Sequence, residues 1–300
     1  MNPDTKDGRV TVRPAEARDK RVVLDFCRNT WRGGDYIPEV WDEWMSGPKG
    51  SLLVATIRGI PIGLGHCYFQ TKDVLWLEGL RVDLAYRRRG IAGRLNRALT
   101  KHGRARGAVL SRLCTSIQNI ASQRHAEKVG FRILQRFDRF DSSQPLTRKP
   151  AGVYQIRKYR TGLWRQIQRW PEFSEFRGLY SDGWTWYPIT PRGLRNAAEY
   201  SRVLVTNSDG EISSLAIIST DKGRLTIGFF AGKRTQAEQK ARYSRYRLAK
   251  GGFQRVRALI PHGSSLTEAF KAAGFKPTNS ILVYQKILRP SREKNKDGRT

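Results

Sequence analysis

The sequence predicts an α/β (α+β) fold in two consecutive domains, each a central mixed, mostly antiparallel sheet flanked by helices, and three observations carry that prediction. The β-rich runs 51–57 and 60–70 flank the turn pair Arg58-Gly59 and read as a hairpin. An apolar run ending at Val82 enters a basic, glycine-bearing turn and then a helix whose Ile91, Leu95 and Leu99 recur at helical spacing. The same order of elements returns more faintly in the second half of the 300 residues, a length beyond one ordinary domain.

In the first half, Val10-Thr11-Val12-Arg13-Pro14 alternates as a short strand, and the stretch from Ala15 to Trp31 carries Val22, Val23, Phe26 and Cys27 on one helical face. Gly33-Gly34-Asp35-Tyr36-Ile37 breaks that pattern. Pro38 then suits the first turn of a helix holding Val40, Trp41 and Trp44. After the hairpin, on which His66 reads as a structural histidine, 74–83 gives the next strand. The helix from Gly90 to about Arg106 presents Arg94, Arg97, Lys101 and Arg104 as a solvated face and stops at Gly107. A strand over 108–115 and a helix opened by Asn119 and Ser122 follow, and 131–140 completes the unit. The first domain is set at 8–141, a linker at 142–160, the second domain at 161–289 and a disordered tail at 290–300.

The second half repeats this order. Helices are expected over 163–170 and 191–200, the latter capped by Thr190, and two strands flank Asn207-Ser208-Asp209-Gly210. A strand over 224–230, a basic helix over 235–250, a strand over 254–260, a helix over 265–273 and a strand over 281–286 complete the pattern. Gly183-Trp184-Thr185-Trp186-Tyr187 reads as core packing or a binding wall.

Composition narrows the function classes. A hydrophobic fraction of 39% with 8 Trp suffices for real cores, and no apolar run approaches the ~20 residues of a membrane span. The residues at the start lack a signal-peptide core, so a cytoplasmic location is expected. Cys27, Cys67 and Cys114 are odd in number and sit in apolar surroundings, which argues for reduced thiols, and with 4 His and no Cys/His cluster no metal is expected. The extreme is a formal charge of +30, more than one phosphorylated ligand requires. It fits an anionic partner such as RNA, bound weakly and through backbone phosphates, or a solubilising surface.

The stretch Leu77-Glu78-Gly79-Leu80-Arg81-Val82-Asp83-Leu84-Ala85-Tyr86-Arg87-Arg88-Arg89-Gly90-Ile91-Ala92-Gly93 organises the chain. Small residues let backbone approach a ligand at a helix N-terminus, where N–H groups and the dipole favour phosphate. The spacing Arg87-x-x-Gly90-x-Ala92 after a strand resembles the acyl-CoA pyrophosphate loop of the GNAT N-acetyltransferases. The later run 119–131, ending in Glu127-Lys128-Val129-Gly130-Phe131, resembles that family's next helix in order and separation, and Lys271-Ala272-Ala273-Gly274-Phe275 echoes it. The region 35–38 together with 76–82 and a tandem arrangement is similar to amino-acid acetyltransferases of the histidine-acetylating kind.

The resemblance implies acetyl-CoA as cosubstrate and a primary amine acceptor, a small molecule or amino acid. It implies CoA contacts from Leu80, Val82, Arg87, Arg88, Arg89, Gly90, Ile91, Ala92, Gly93, Asn119 and Ser122, and acceptor contacts from Asp35, Tyr36 and Trp41, for the last of which core packing is the plainer role. It offers Glu78 as general base, or as a partner for a nearby arginine, with Asp35 or a water chain next in line. The family's tyrosine acid corresponds to Ala126, which leaves that role open. The second half lacks the Arg-x-x-Gly-x-Ala turn, so it reads as a degenerate GNAT-like copy, with an unrelated α/β domain as the alternative. The alternative is a non-catalytic or RNA-associated module whose basic face would expose aromatics such as Tyr243 and Tyr246. The sequence does not fix the oligomeric state.

Overall fold

Two units emerge from the contacts of the computed structural model, which describes residues 8–288 apart from 29, 31–33 and 222. The first takes the residues up to Leu113, Ile120–Arg132 and those from Tyr284 on; the second takes Cys114–Asn119 and Ile133–Val283. The expectations for Trp31, Gly33 and the tail at 290–300 lie outside the described residues.

In chain order the first unit forms β1 (Val10–Pro14), α1 (Lys20–Cys27), α2 (Ile37–Ser46), β2 (Gly50–Ile57), β3 (Ile60–Phe69), β4 (Val74–Val82), α3 (Ile91–Ala105), β5 (Leu110–Ser116) and α4 (Ile120–Lys128), with β5 passing into the second unit at Cys114. The helix expected from Ala15 begins only at Lys20. Asp19 is bound to Arg13 at 2.6 Å and accepts the Glu16 N–H at 2.8 Å, and this reciprocal cap sets off a separate 3-10 turn over Ala17–Asp19. Strands β1 to β4 pair antiparallel in sequence order, and β5 runs parallel to β4.

The two faces of this sheet are covered differently. On one, Val23 and Cys27 of α1 and Ile37, Trp41 and Trp44 of α2 bury against Leu52, Val54 and Leu64. On the other, Gly63 and Gly65 let Ile91, Leu95 and Leu99 of α3 approach the strands. Each such large side chain contributes about 1.5–3 kcal/mol on leaving water. Burial also pushes the Cys27 and Cys67 thiols up to about 12, which keeps both protonated at neutral pH.

The second unit comprises β6 (Arg132–Ser142) from Ile133 on, β7 (Tyr154–Ile156), α5 (Leu163–Arg169), α6 (Pro171–Glu175), β8 (Leu179–Asp182), β9 (Thr185–Pro188), α7 (Pro191–Glu199), β10 (Val203–Ser208), β11 (Glu211–Asp221), β12 (Arg224–Gly232), α8 (Arg234–Ala249), β13 (Arg255–Pro261), α9 (Leu266–Ala272) and β14 (Lys276–Ile287), the last passing to the first unit at Tyr284. Its sheet runs β6-β13-β12-β11-β10-β7, parallel only between β12 and β13. The stretch 142–160, read as a linker, supplies β7, and Asp141 is buried where Arg139, Arg257 and Thr278 converge on its carboxylate. Thr190 caps α7 through the Gly193 N–H at 3.0 Å. In the 183–187 stretch, Trp186 packs against Phe137 at 5.2 Å while Trp184 stays exposed, so only one of the two tryptophans belongs to the core.

The basic helix α8 bears on the alternative reading. Tyr243 is buried and Tyr246 half-buried, so they do not stand out on a nucleic-acid-binding face. The helix buries Ala237, Lys240, Ala241, Tyr243, Ser244, Arg245 and Leu248, and its apolar and charged positions do not sort onto opposite sides. The Lys240 ammonium lies over the Phe230 ring and donates to the Thr206 and Ser214 hydroxyls. Burial pushes Lys240 down to about 7. Between about pH 7 and the ordinary lysine value of 10.5 the unfolded chain therefore holds more protons than the folded one, and stability rises with pH through that window. Denaturant unfolding at about pH 7 and about pH 9 should show this rise in the parent and a smaller one in Lys240→Met; equal slopes would mean that Lys240 stays charged when folded.

Candidate active site

Strand β4 carries the site, and a bulge arranges it. Leu64 faces Arg81 and His66 faces Glu78, so Gly79 and Leu80 together oppose the single residue Gly65. Gly79 has φ +65°, and a Cβ there would collide with the Trp44 ring, so both the backbone conformation and the space require glycine. The extra residue shifts the pleat. Glu78, Leu80 and Val82 would share a face in an unbroken strand; instead Glu78 and Arg81 lie with His66 and Leu64 on the side covered by α2, while Leu80 approaches the α3 side beside Gly65.

On the α2 side two polar pairs are fixed. Arg81 donates from Nε to Asp35 Oδ2 at 2.7 Å and from Nη2 to Oδ1 at 3.1 Å, and its guanidinium lies 5.4 Å from the centre of the Tyr36 ring. The Asp35 side chain is 1% exposed and also accepts the Ile37 N–H, so both of its oxygens are occupied. Burial works most strongly against the Arg81 charge, but the Asp35 hydrogen bonds together with the electrostatic influence of Tyr36, Asp35 and Cys27 hold the guanidinium above its ordinary value. Removing either partner would strand a buried charge at a cost of about 3–5 kcal/mol. In the second pair, His66 Nδ1 meets Glu78 Oε1 at 3.0 Å. Trp41 is buried in the core, whereas Tyr36 is 40% exposed and sets its ring edgewise to Trp44.

Beyond β4 the chain turns through Asp83, whose carboxylate accepts the Ala85 N–H at 3.0 Å, and Arg87 donates to the Val82 carbonyl at 3.2 Å. Arg88 is held at φ +64°, a conformation costly for a residue with a Cβ, and Gly90 at φ +77° precedes α3. A Cβ on Gly90 would meet nothing within 4 Å, so the turn is open in front of it. The first helical bond runs from the Arg94 N–H to the Gly90 carbonyl, and the N–H groups of Ile91, Ala92 and Gly93 therefore have no acceptor within the helix. Exposed Arg87, Arg88 and Arg89 flank this end, α3 has no acidic residue, and the helix dipole adds to the positive potential. The arrangement suits a phosphate group.

Beside this turn the sheet parts. β4 and β5 pair over Val74↔Leu110, Leu75↔Ser111 and Trp76↔Arg112, whereas β4 itself continues to Val82. Ser122 lies in the first turn of α4; Asn119 just precedes that helix and belongs to the second unit. Ala126 is buried on α4, and Tyr284 donates its phenol to Glu127 at 3.2 Å. The second unit has no counterpart to the turn: β12 ends at Gly232 and α8 starts at Arg234, which leaves Lys233 alone between them. Among the described residues no group of three or more His, Cys, Asp or Glu gathers into a metal site.

The sequence reading missed the histidine–glutamate pair and the aspartate–arginine pair. The first had a signal, since counting back from the β3–β4 turn through Phe69↔Leu75 brings His66 opposite Glu78. The second joins residues 46 apart and had none.

Residues 21–131 match the acetyltransferase (GNAT) family. No curated protein matches the chain by sequence. Among solved structures, a GCN5-related N-acetyltransferase from Sphaerobacter thermophilus is similar at 15% identity with a TM-score of 0.60, covering 94% of this chain and 96% of that one. A tandem GNAT protein from the clavulanic acid biosynthesis pathway is similar at 14% identity and a TM-score of 0.56, covering 94% and 100%. A GCN5-related N-acetyltransferase from Kribbella flavida is similar at 13% identity with a TM-score of 0.51, covering 93% and 71%. These likenesses extend the shared fold over both units, and the family match places the phosphate-suited turn and the bulged strand inside the acyltransferase domain. Residues 21–131 thus form an acyltransferase domain of the GNAT family, within a chain that has the tandem GNAT fold.

Proposed function

We propose that this protein transfers an acetyl group from acetyl-CoA to a primary amine, a small molecule or amino acid, and that the first unit performs the reaction. The observation that carries this reading is the parting of β4 from β5 beside an open, acid-free helix N-terminus. A strand edge and a phosphate cradle at one end of a sheet match the two halves of acetyl-CoA: an amide-bearing arm that can pair with backbone, and a pyrophosphate that needs N–H groups and cations. In this reading Leu80 and Val82 offer the backbone edge, while Arg87, Arg88, Arg89, Gly90, Ile91, Ala92 and Gly93 hold the pyrophosphate. Ser122, in the first turn of α4, is the proposed contact beyond the cradle.

The acceptor arrives as an ammonium and must lose a proton before its nitrogen attacks the thioester carbonyl. Glu78 is the proposed base, because its carboxylate is partly exposed whereas that of Asp35 is enclosed by Arg81. The proton passes to Glu78, the new C–N bond forms, and the C–S bond breaks. Ala126 brings no proton donor, so the departing sulfur is protonated by some group other than the one at this position. Tyr36 is the proposed acceptor contact. Asp35 acts through Arg81, which it holds against the Tyr36 ring.

An RNA-associated role resting on exposed aromatics of α8 loses its support with the burial of Tyr243. The basic face of α3, with Arg97, Lys101 and Arg104 exposed, supports at most a salt-sensitive association without sequence preference.

Two measurements test the enzyme reading. Gly90→Leu places a side chain in open space and costs roughly 1–3 kcal/mol in backbone strain, so the fold should survive while acetyl-CoA binding, measured by calorimetry, is lost. Unchanged affinity would remove the turn from the site. Glu78→Gln should slow turnover by about two orders of magnitude or more at neutral pH, with acetyl-CoA affinity unchanged. A variant as fast as the parent across the pH range would exclude Glu78 as the base.

A further inference from the structure

Behind the proposed base stands a histidine whose placement is fixed from several sides. His66 and Glu78 are direct cross-strand partners in β3 and β4, the relation in which two side chains of one face lie closest. The imidazole is stacked on Trp44, 4.3 Å between ring centres at an interplanar angle of 10°, and its other ring neighbour, Tyr68, lies at 5.9 Å and 27°. On β2 the residue beside the ring is Gly50, where a Cβ would come within 2.5 Å of Nε2. The His66 side chain is 5% exposed and that of Glu78 is 20% exposed, so the imidazole sits behind a carboxylate that still reaches solvent.

The chemistry of the contact fixes its direction. An ionised carboxylate can only accept, so at the 3.0 Å separation Nδ1 carries the hydrogen and donates to Oε1. One oxygen is thereby held from behind, and the other is left for the acceptor's proton. A ring buried between aromatics would pack as well or better as phenylalanine, without the cost of desolvating two ring nitrogens.

We infer that His66 is a positioning residue for the reaction: its Nδ1–H orients the Glu78 carboxylate and stabilises the anion that receives the proton. The inference rests on the reading of Glu78 as base. His66 keeps its own proton throughout; the ammonium proton goes to the second oxygen of Glu78. The bulge at Gly79 follows immediately, so the rotamer of Glu78 is set between a pinned imidazole and a fixed kink of the strand.

Steady-state kinetics on five variants, Glu78→Gln among them, test this. His66→Phe keeps the stack and loses the donor. It should lower kcat by roughly 10- to 100-fold, displace the pH–rate profile and leave acetyl-CoA affinity unchanged. His66→Asn, whose amide N–H can stand in for Nδ1–H, should recover most of kcat. In the double variant with Glu78→Gln, His66→Phe should add little to the loss, because the group it orients is gone. Should His66→Phe fail to fold, His66→Met removes the donor in the same way. A slow Glu78→Gln beside a donor-less variant with parental kcat and pH profile would overturn the role of His66 and leave Glu78 as base. A parental Glu78→Gln would overturn the base reading and this inference with it.

Discussion

The left-handed residue Gly79 and the Trp44 ring that occupies the space of its missing side chain are the constraint on which the first unit depends. A strand without that bulge would present Glu78, Leu80 and Val82 in one row and turn Arg81 to the opposite face. With it, β4 sends Glu78 and Arg81 toward α2 and directs Leu80 toward the α3 side. One strand can then serve an apolar interface and a polar site within five residues. The Trp44 ring links the two, since it fills the kink with its edge and stacks its face on His66.

Charge is used in two different ways. In the turn before α3, Arg87, Arg88 and Arg89 are exposed and cost the fold little, so their number can follow the demands of a ligand. On the α2 side the charges are buried and each has a designated partner, as in the bidentate pair of Arg81 and Asp35. Such pairs add little net stability, but they hold geometry, because any other arrangement leaves a buried charge alone. The second unit follows the same rule at Asp141, where Arg139, Arg257 and Thr278 all donate, and departs from it at Lys240, whose partners are neutral hydroxyls.

The two units share an order of elements but differ where the ligand would bind. In the first, eight residues from Asp83 to Gly90 separate β4 from α3, enough chain to wrap around an anion. In the second, only Lys233 separates β12 from α8, and the helix starts before a cradle can form. The copy keeps the layers because apolar periodicity alone builds them. A phosphate site needs a turn of particular length and conformation as well, which the single residue Lys233 does not supply.

Local chemistry was what the sequence alone determined. The hairpin around Arg58-Gly59, the strand, basic turn and helix from Val74 to Ala105, and the Thr190 cap of α7 are each specified by neighbours in the chain, through alternation, helical period and capping. The glycine-bearing turn before α3 was legible for the same reason, since a helix N-terminus and its glycine lie within a few residues. The tertiary structure alone decided what lies opposite what. His66 meets Glu78 and Asp35 meets Arg81 only once strand register and the bulge are set, and Tyr243 turns inward although α8 reads as basic all round. It also decided that 142–160 would contribute β7 to a sheet and that Asp141 would be buried. Register and long-range pairing are chosen by the packing of the whole unit, and no period within one segment encodes them.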